Sequence, residues 1–259
     1  MAKTLVVTGA AGALGSALVR HLVGEGHKVV ALDTPRGKDR LAALEQELRG
    51  SCFGHSMDVA SALEWIEVVA RIEKEIGAPD GAVLVAGGWQ GGSSFHAEVD
   101  DSTWRAMMST NLDTAERSMR ALLPGMVARR SGSVVVIGSR AVERPWTSGG
   151  AAAYAASKHA LNALTANLRM ELAADFPAIH VTTVLPGVVA TDFGKNARHG
   201  GFDSRALPAA QPVDVGDELR LVLHVDFSLR TKHTASAAQA SSTPLRRITF
   251  SGRPPSRLS

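Results

Sequence analysis

Residues 4–15, Thr4-Leu-Val-Val-Thr-Gly-Ala-Ala-Gly-Ala-Leu-Gly15, decide how the rest of the chain folds. Leu5-Val6-Val7 is apolar without alternation, as a strand covered on both faces requires. Glycines follow at 9, 12 and 15, and helical spacing then runs from Leu14 through Leu18 and Leu22 to Gly24. Val29-Val30-Ala31-Leu32 reads as the next strand and ends in Asp33. Strand, glycine turn, helix, strand and acid in that order form the fingerprint of a dinucleotide site. Gly9 allows the tight turn, and Gly12 lets backbone N–H groups approach a pyrophosphate. Gly15 allows close helix packing, while the helix start at Gly12, Ala13 and Leu14 favours phosphate charge.

Asp33 is placed to accept hydrogen bonds from ribose hydroxyls, and its charge repels a 2′-phosphate. NAD is therefore the expected cofactor over NADP. Arg36, Lys38 and Arg40 follow closely and supply the opposing argument.

The composition is that of a soluble globular chain: 259 residues, 45% hydrophobic and 20% charged. A single cysteine, Cys52, excludes an internal disulfide and fits a reducing compartment. No signal peptide and no run of about 20 apolar residues is present, so a cytoplasmic protein without a membrane partner is expected. From Asp214 onward seven basic residues stand against four acidic ones, which leaves the first 213 residues formally neutral. A neutral body argues against nucleic-acid binding. The histidines lack ligand spacing, so no metal is expected.

Further along, Leu41–Leu48 reads as a helix and Ser51–Met57 as a strand leading to Asp58-Val59. Ala60–Ile76 reads as an amphipathic helix with Leu63, Ile66, Val69, Ala70 and Ile76 on one side. Gly81–Ala86 is a buried strand opening into Gly87-Gly88-Trp89-Gln90-Gly91-Gly92, where open sheets bind ligands. Thr103–Leu123 reads as one long helix with Asn111 in its middle, a residue that by itself reads as exposed. Ser133–Ile137 is a fifth strand, followed by Gly138-Ser139. A helix then runs to about Asp175, and Val181–Leu185 is a sixth strand stopped by Pro186-Gly187.

On the long helix, Tyr154 and Lys158 are four residues apart and so lie on one face. A fixed ammonium favours phenolate, so Lys158 is expected to bring Tyr154 toward neutral pKa. Ser139, at a strand's carboxyl end, projects into the same crevice.

These residues together resemble the short-chain dehydrogenases/reductases over roughly residues 4 to 195. The matching motifs are Thr8-Gly9-x-x-Gly12-x-x-Gly15, Asp58-Val59, Ala86-Gly87, Asn111, Ser139, Tyr154-x-x-x-Lys158 and Pro186-Gly187-x-x-x-Thr191. The resemblance implies a Rossmann fold: an α/β, doubly wound parallel sheet in one domain, residues 1–213. It makes Tyr154 the acid/base and Lys158 both its pKa tuner and a ligand of the nicotinamide ribose. Ser139 would polarise the substrate oxygen, and Asn111 would hold a relay water. Asp58-Val59 would contact adenine, and Thr191 the carboxamide. It also implies a homodimer or homotetramer packed through the Asn111 and Tyr154 helices.

The chain departs from the family in four places. Ala13 takes the usual middle-glycine place, and Leu84-Val85-Ala86-Gly87 replaces Asn-Asn-Ala-Gly, with Val85-Ala86-Gly87-Gly88-Trp89-Gln90-Gly91-Gly92 looking like the corresponding stretch of dihydropteridine reductase. The Ser139 to Tyr154 spacing is long. After Val213 the composition turns to Ser, Ala, Thr and Arg without periodicity, as a reading-frame change near Val213 would produce. Residues 214–259 are therefore expected to be an atypical, largely disordered extension.

The function expected is NAD-dependent interconversion of a secondary alcohol and a ketone. Trp89, Trp146, Phe193 and Phe202 point to an apolar or ring-bearing substrate. The alternatives are a quinonoid dihydropteridine-type reductase and, of another class, a catalytically inactive NAD-binding interaction module.

Overall fold

The computed structural model describes residues 2–92, 101–143, 151–189, 191–195, 197 and 200–204. The expected extension from 214 onward and Trp146 lie outside them. Six parallel strands form one sheet: β1 (Thr4–Thr8), β2 (Lys28–Asp33), β3 (Cys52–Ser56), β4 (Gly81–Leu84), β5 (Gly132–Ile137) and β6 (Ile179–Val184). Their order is β3-β2-β1-β4-β5-β6. The order reverses between β1 and β4, which pair from Leu5–Gly81 to Thr8–Leu84. A crevice opens at the carboxyl ends of the strands on either side of such a reversal. This is the doubly wound Rossmann arrangement that the sequence implied.

Neighbouring side chains of a strand face opposite ways, and the sheet uses this to build two apolar layers. Val6, Val30, Leu32, Val134 and Val136 pack on one face, and Leu5, Val7, Val29, Ala31, Val135 and Ile137 on the other. The second face is covered by α1 (Ala13–Gly24) and α2 (Lys38–Glu47) through Leu18, Val19, Leu22, Leu41 and Leu44. The first is covered by α3 (Ala62–Glu75), α5 (Thr114–Arg129) and α6 (Ala151–Asp175).

The apolar side of α3 differs from the expected one. Leu63 and Ile66 are 76% and 69% exposed, whereas Trp65, Val68 and Ile72 are buried. Two apolar stripes share this helix. The sheet takes the one carrying the tryptophan, whose indole N–H donates to the Val59 carbonyl at 2.9 Å. Val69 and Ile76 pack at its edge.

The long helix expected over 103–123 is also interrupted. It comprises α4 (Asp101–Met108), a π-helical turn at Ser109–Asp113 and α5. The π-turn points Asn111 inward onto Gly88 and the Met107 carbonyl, and its side chain is fully buried rather than exposed. Such turns often mark functional positions. Among the described residues no helix is long and apolar enough to cross a membrane.

Candidate active site

The glycine turn after β1 is shaped by close approach. Gly9 has φ +66°, and a Cβ there would lie 2.9 Å from the Ala86 nitrogen. A Cβ at Gly15 would lie 2.1 Å from the Gly9 carbonyl oxygen, so only glycine lets α1 sit this close to the turn. At the exposed start of α1, Gly12 provides no side-chain cap and the first turn carries no acidic residue. Those N–H groups therefore face outward with the positive end of the helix dipole. The open start fits a pyrophosphate. Ala13 is exposed beside it, and Leu14 is half-buried.

Asp33 closes β2 with both carboxylate oxygens engaged. One accepts from the Ala11 N–H at 2.8 Å and the other from the Thr34 N–H at 2.8 Å. Arg40 donates to the Ala11 carbonyl at 3.0 Å, so acid and cation grip the same turn from two sides. Asp58 is exposed and accepts from the Ala60 N–H, while Val59 is buried below it. Ala86 donates its N–H to the Thr8 hydroxyl at 3.2 Å and so ties the end of β4 to the end of β1.

At the reversal point Asn111 grips Gly88 by both backbone groups. Its Oδ1 accepts from the Gly88 N–H at 3.0 Å, and its Nδ2 donates to the Gly88 carbonyl at 2.9 Å and to that of Met107 at 3.1 Å. Gly87 lies between asparagine and lysine: a Cβ there would stand 3.0 Å from Asn111 Oδ1 and 3.3 Å from Lys158 Nζ. Lys158 Nζ donates to the Ile137 carbonyl at 3.1 Å. The last residue of β5 thus holds the ammonium, and Ser139 follows two residues beyond it. The sequence marked the Gly88 loop but not Gly88 as the partner of Asn111, nor the Ile137 carbonyl as that of Lys158, because only the fold brings them together.

Ser139 Oγ accepts from the Ala141 N–H at 3.1 Å and shares a hydrogen bond with the Tyr154 hydroxyl. Lys158 Nζ stands 5.9 Å from the centre of the Tyr154 ring. The phenol is 5% exposed and the lysine 4%. Burial penalises charge, which reverses the expected tuning. It pushes the phenol up to about 12, with the Ser139 hydrogen bond pulling weakly the other way. It also lowers the ammonium to about 8. Burial thus favours the neutral, proton-bearing form of Tyr154.

Past β6, Pro186 accepts from the Arg140 N–H at 3.0 Å and ties this loop to the Ser139 turn. Gly187 follows, half-buried. Thr191 is buried and clasped to Ser204: its N–H meets Ser204 Oγ at 3.2 Å, and the same hydroxyl donates to the Thr191 carbonyl at 2.7 Å. Ser204 has no sequence signature, since its partner lies 13 residues away in an irregular loop. Among the described residues no group of three or more His, Cys, Asp or Glu could hold a metal ion.

The set combines two oxygen donors, a buried ammonium and an open helix start at one sheet edge. That combination can polarise a carbonyl and move a proton beside a bound phosphate-bearing cofactor.

Comparison with known proteins agrees. Residues 3–200 match the family model described as short chain dehydrogenase. The NADP-dependent 3-hydroxy acid dehydrogenase YdfG of Escherichia coli K12 is 34% identical over 203 residues, which cover 78% of this chain and 79% of that protein. The 2,3-dihydro-2,3-dihydroxybenzoate dehydrogenase of Bacillus subtilis is 35% identical over 191 residues, 73% of this chain and 71% of its own. A short-chain dehydrogenase from Streptomyces avermitilis superimposes with a TM-score of 0.74 at 30% identity, covering 90% of this chain and 89% of that one. With its sheet order, its glycine turn and its Ser139–Tyr154–Lys158 cluster, the chain belongs to the short-chain dehydrogenase family.

Proposed function

We propose that this protein interconverts a secondary alcohol and a ketone with a nicotinamide dinucleotide, using Tyr154 as the proton donor and acceptor. The observation that carries this reading is the hydrogen bond between the Tyr154 and Ser139 hydroxyls above the carboxyl end of β5. The cofactor's chemistry is hydride exchange with the carbinol carbon. The residues that would hold it are Gly9, Gly12, Ala13, Leu14 and Gly15 at the phosphates, Asp33 at the ribose, and Asp58-Val59 at the adenine. Ala86, Gly87, Pro186, Gly187, Thr191, Tyr154 and Lys158 would hold the nicotinamide end.

The chain's own residues then divide the work. Ser139 and Tyr154 donate to the substrate oxygen and stabilise the charge that develops there. In the reducing direction the protonated phenol delivers its proton to that oxygen; in oxidation it must first be deprotonated. Lys158, held on the Ile137 carbonyl, supplies positive charge beside this transfer. Asn111 acts here by fixing Gly88 and with it the loop after β4. The 3-hydroxy acid dehydrogenase named above supports the alcohol-to-ketone reading.

NAD is the cofactor we favour, because Asp33 sets a carboxylate at the end of β2 whose charge would repel a 2′-phosphate. NADP is the competing reading, favoured by the name of the Escherichia coli relative and by the exposed Arg36, Lys38 and Arg40. A homodimer or homotetramer packed through α5 and α6 completes the proposal.

Tyr154→Phe is the deciding variant. It should lower ketone-reducing turnover by about three orders of magnitude or more, within the range of general acid–base and oxyanion effects. NADH binding, read by fluorescence titration, should survive. A variant that retains turnover within tenfold of the parent defeats the assignment.

A further inference from the structure

A third apolar cluster stands apart from the two layers of the sheet. Trp89, Met107, Ala141, Ala151 and Ala153 gather round Tyr154, with Phe202 packed against them. This cluster seals neither face of the sheet; it sits on the reacting tyrosine. The Trp89 and Tyr154 rings are 5.4 Å apart and tilted by 58°. Phe202 meets Trp89 edge-on at 5.5 Å, and Phe193 meets Tyr154 edge-on at 6.1 Å. Both are favoured aromatic geometries.

The segment that brings in Phe202 is clasped at several points. Ser204 is tied to Thr191, the Phe202 N–H donates to the Gly194 carbonyl at 3.2 Å, and Lys195 pairs with both Asp192 and Asp203. Gly194 is what admits the ring, since a Cβ there would stand 2.8 Å from it. Yet Phe202 remains only half-buried, and Phe193 is 38% exposed. The ion pairs of Lys195 are solvent-exposed and so worth little. Phe202 is thus seated on Trp89 while part of its surface stays open to solvent.

Tyr154 as a whole residue is only 5% exposed, with the Trp89 and Phe193 rings against it and Phe202 behind Trp89, so a substrate must displace part of what covers it. We propose that Phe202 occupies the seat of a substrate ring on Trp89, so that the natural substrate is an aryl ketone or aryl carbinol whose ring replaces Phe202 when the strap opens. This rests on the alcohol–ketone reading above and names its substrate class. Edge-to-face contact with an aromatic ring is a preference that a saturated ring of the same shape does not satisfy.

The test compares acetophenone with cyclohexyl methyl ketone under NADH, together with their binding read by tryptophan fluorescence. The parent enzyme should show kcat/KM at least tenfold higher for acetophenone, and acetophenone should quench tryptophan emission saturably. Trp89→Leu should bring the two ketones within threefold of each other and abolish the saturable quench. Phe202→Ala should lower KM for acetophenone severalfold without lowering kcat, a split that mere loss of packing would not produce. Equal rates for the two ketones, or an aryl preference that survives Trp89→Leu, overturns the inference while leaving the oxidoreductase reading intact. Saturable, Trp89-dependent quenching without turnover of any ketone or alcohol overturns the oxidoreductase reading and leaves the aryl seat standing. Absence of both quenching and aryl preference removes the seat.

Discussion

At the scale of single residues the site is built by burying groups that would rather be solvated. Lys158 is the clearest case. Its folded-state pKa lies near 8, below the ordinary 10.5, so its stability contribution is fully present above about 10.5 and is lost as pH falls through 8. A shift of that size is worth about 3 kcal/mol. Lys158→Met should therefore abolish turnover yet raise native stability at pH 7 by about 2 kcal/mol, after loss of the hydrogen bond to Ile137. Chemical denaturation of parent and variant should show this difference shrinking as pH rises toward 10. A variant less stable than its parent at pH 7 contradicts the buried-charge account. Tyr154 carries the opposite sign: its raised pKa gives stability that is intact below about 10 and lost as pH approaches 12. Asp33 is a second residue with a separable role. Asp33→Ser keeps a hydroxyl acceptor for the Ala11 N–H but removes the charge. It should shift the ratio of kcat/KM for NAD over NADP toward NADP by about tenfold or more, equivalent to about 1.4 kcal/mol. An unchanged ratio means that Asp33 does not read the 2′ position.

At the scale of elements, α3 shows how a helix with two apolar stripes is oriented. Trp65 fills its side of the sheet and satisfies its N–H on the Val59 carbonyl, whereas Leu63 and Ile66 face outward. Trp65→Ala should destabilise the fold by about 3–5 kcal/mol. Ile66→Lys should stay within about 0.5 kcal/mol of the parent. Thermal melts of both variants measure this, and a comparable loss in the two would mean that Ile66 is covered. The π-turn at Ser109–Asp113 is the other instructive element. The apolar pattern does not announce it, since a single π-turn offsets the helical spacing by only one residue over a short window. Its effect is large: it drives Asn111 inward, where the carboxamide becomes the clamp for Gly88 and sets the loop that carries Trp89.

At the scale of the whole molecule, a six-stranded sheet with its helices on two faces still leaves some apolar groups outside. Met170, on α6, is 75% exposed. If the chain self-associates through α5 and α6 as proposed, Met170→Glu should shift it toward monomer in light scattering at micromolar concentration. An unshifted mass would place the contact elsewhere. The sequence alone determined the order of strands and helices, because the central parallel strands, buried on both faces, are written as continuous apolar runs. It also determined the glycine turn, where Gly9 and Gly15 are demanded by backbone contacts that no side chain tolerates, and it marked Tyr154 and Lys158 by their spacing and Ser139 by its place at the carboxyl end of a strand. The tertiary structure decided what spacing does not encode. The side of α3 that meets the sheet, the partner of Asn111 and the Ser204 clasp on Thr191 all depend on segments distant in sequence. The direction in which Tyr154 and Lys158 are shifted was decided there too: stacking two residues on a helix fixes their separation, but burial in the surrounding fold disfavours the charged form of each.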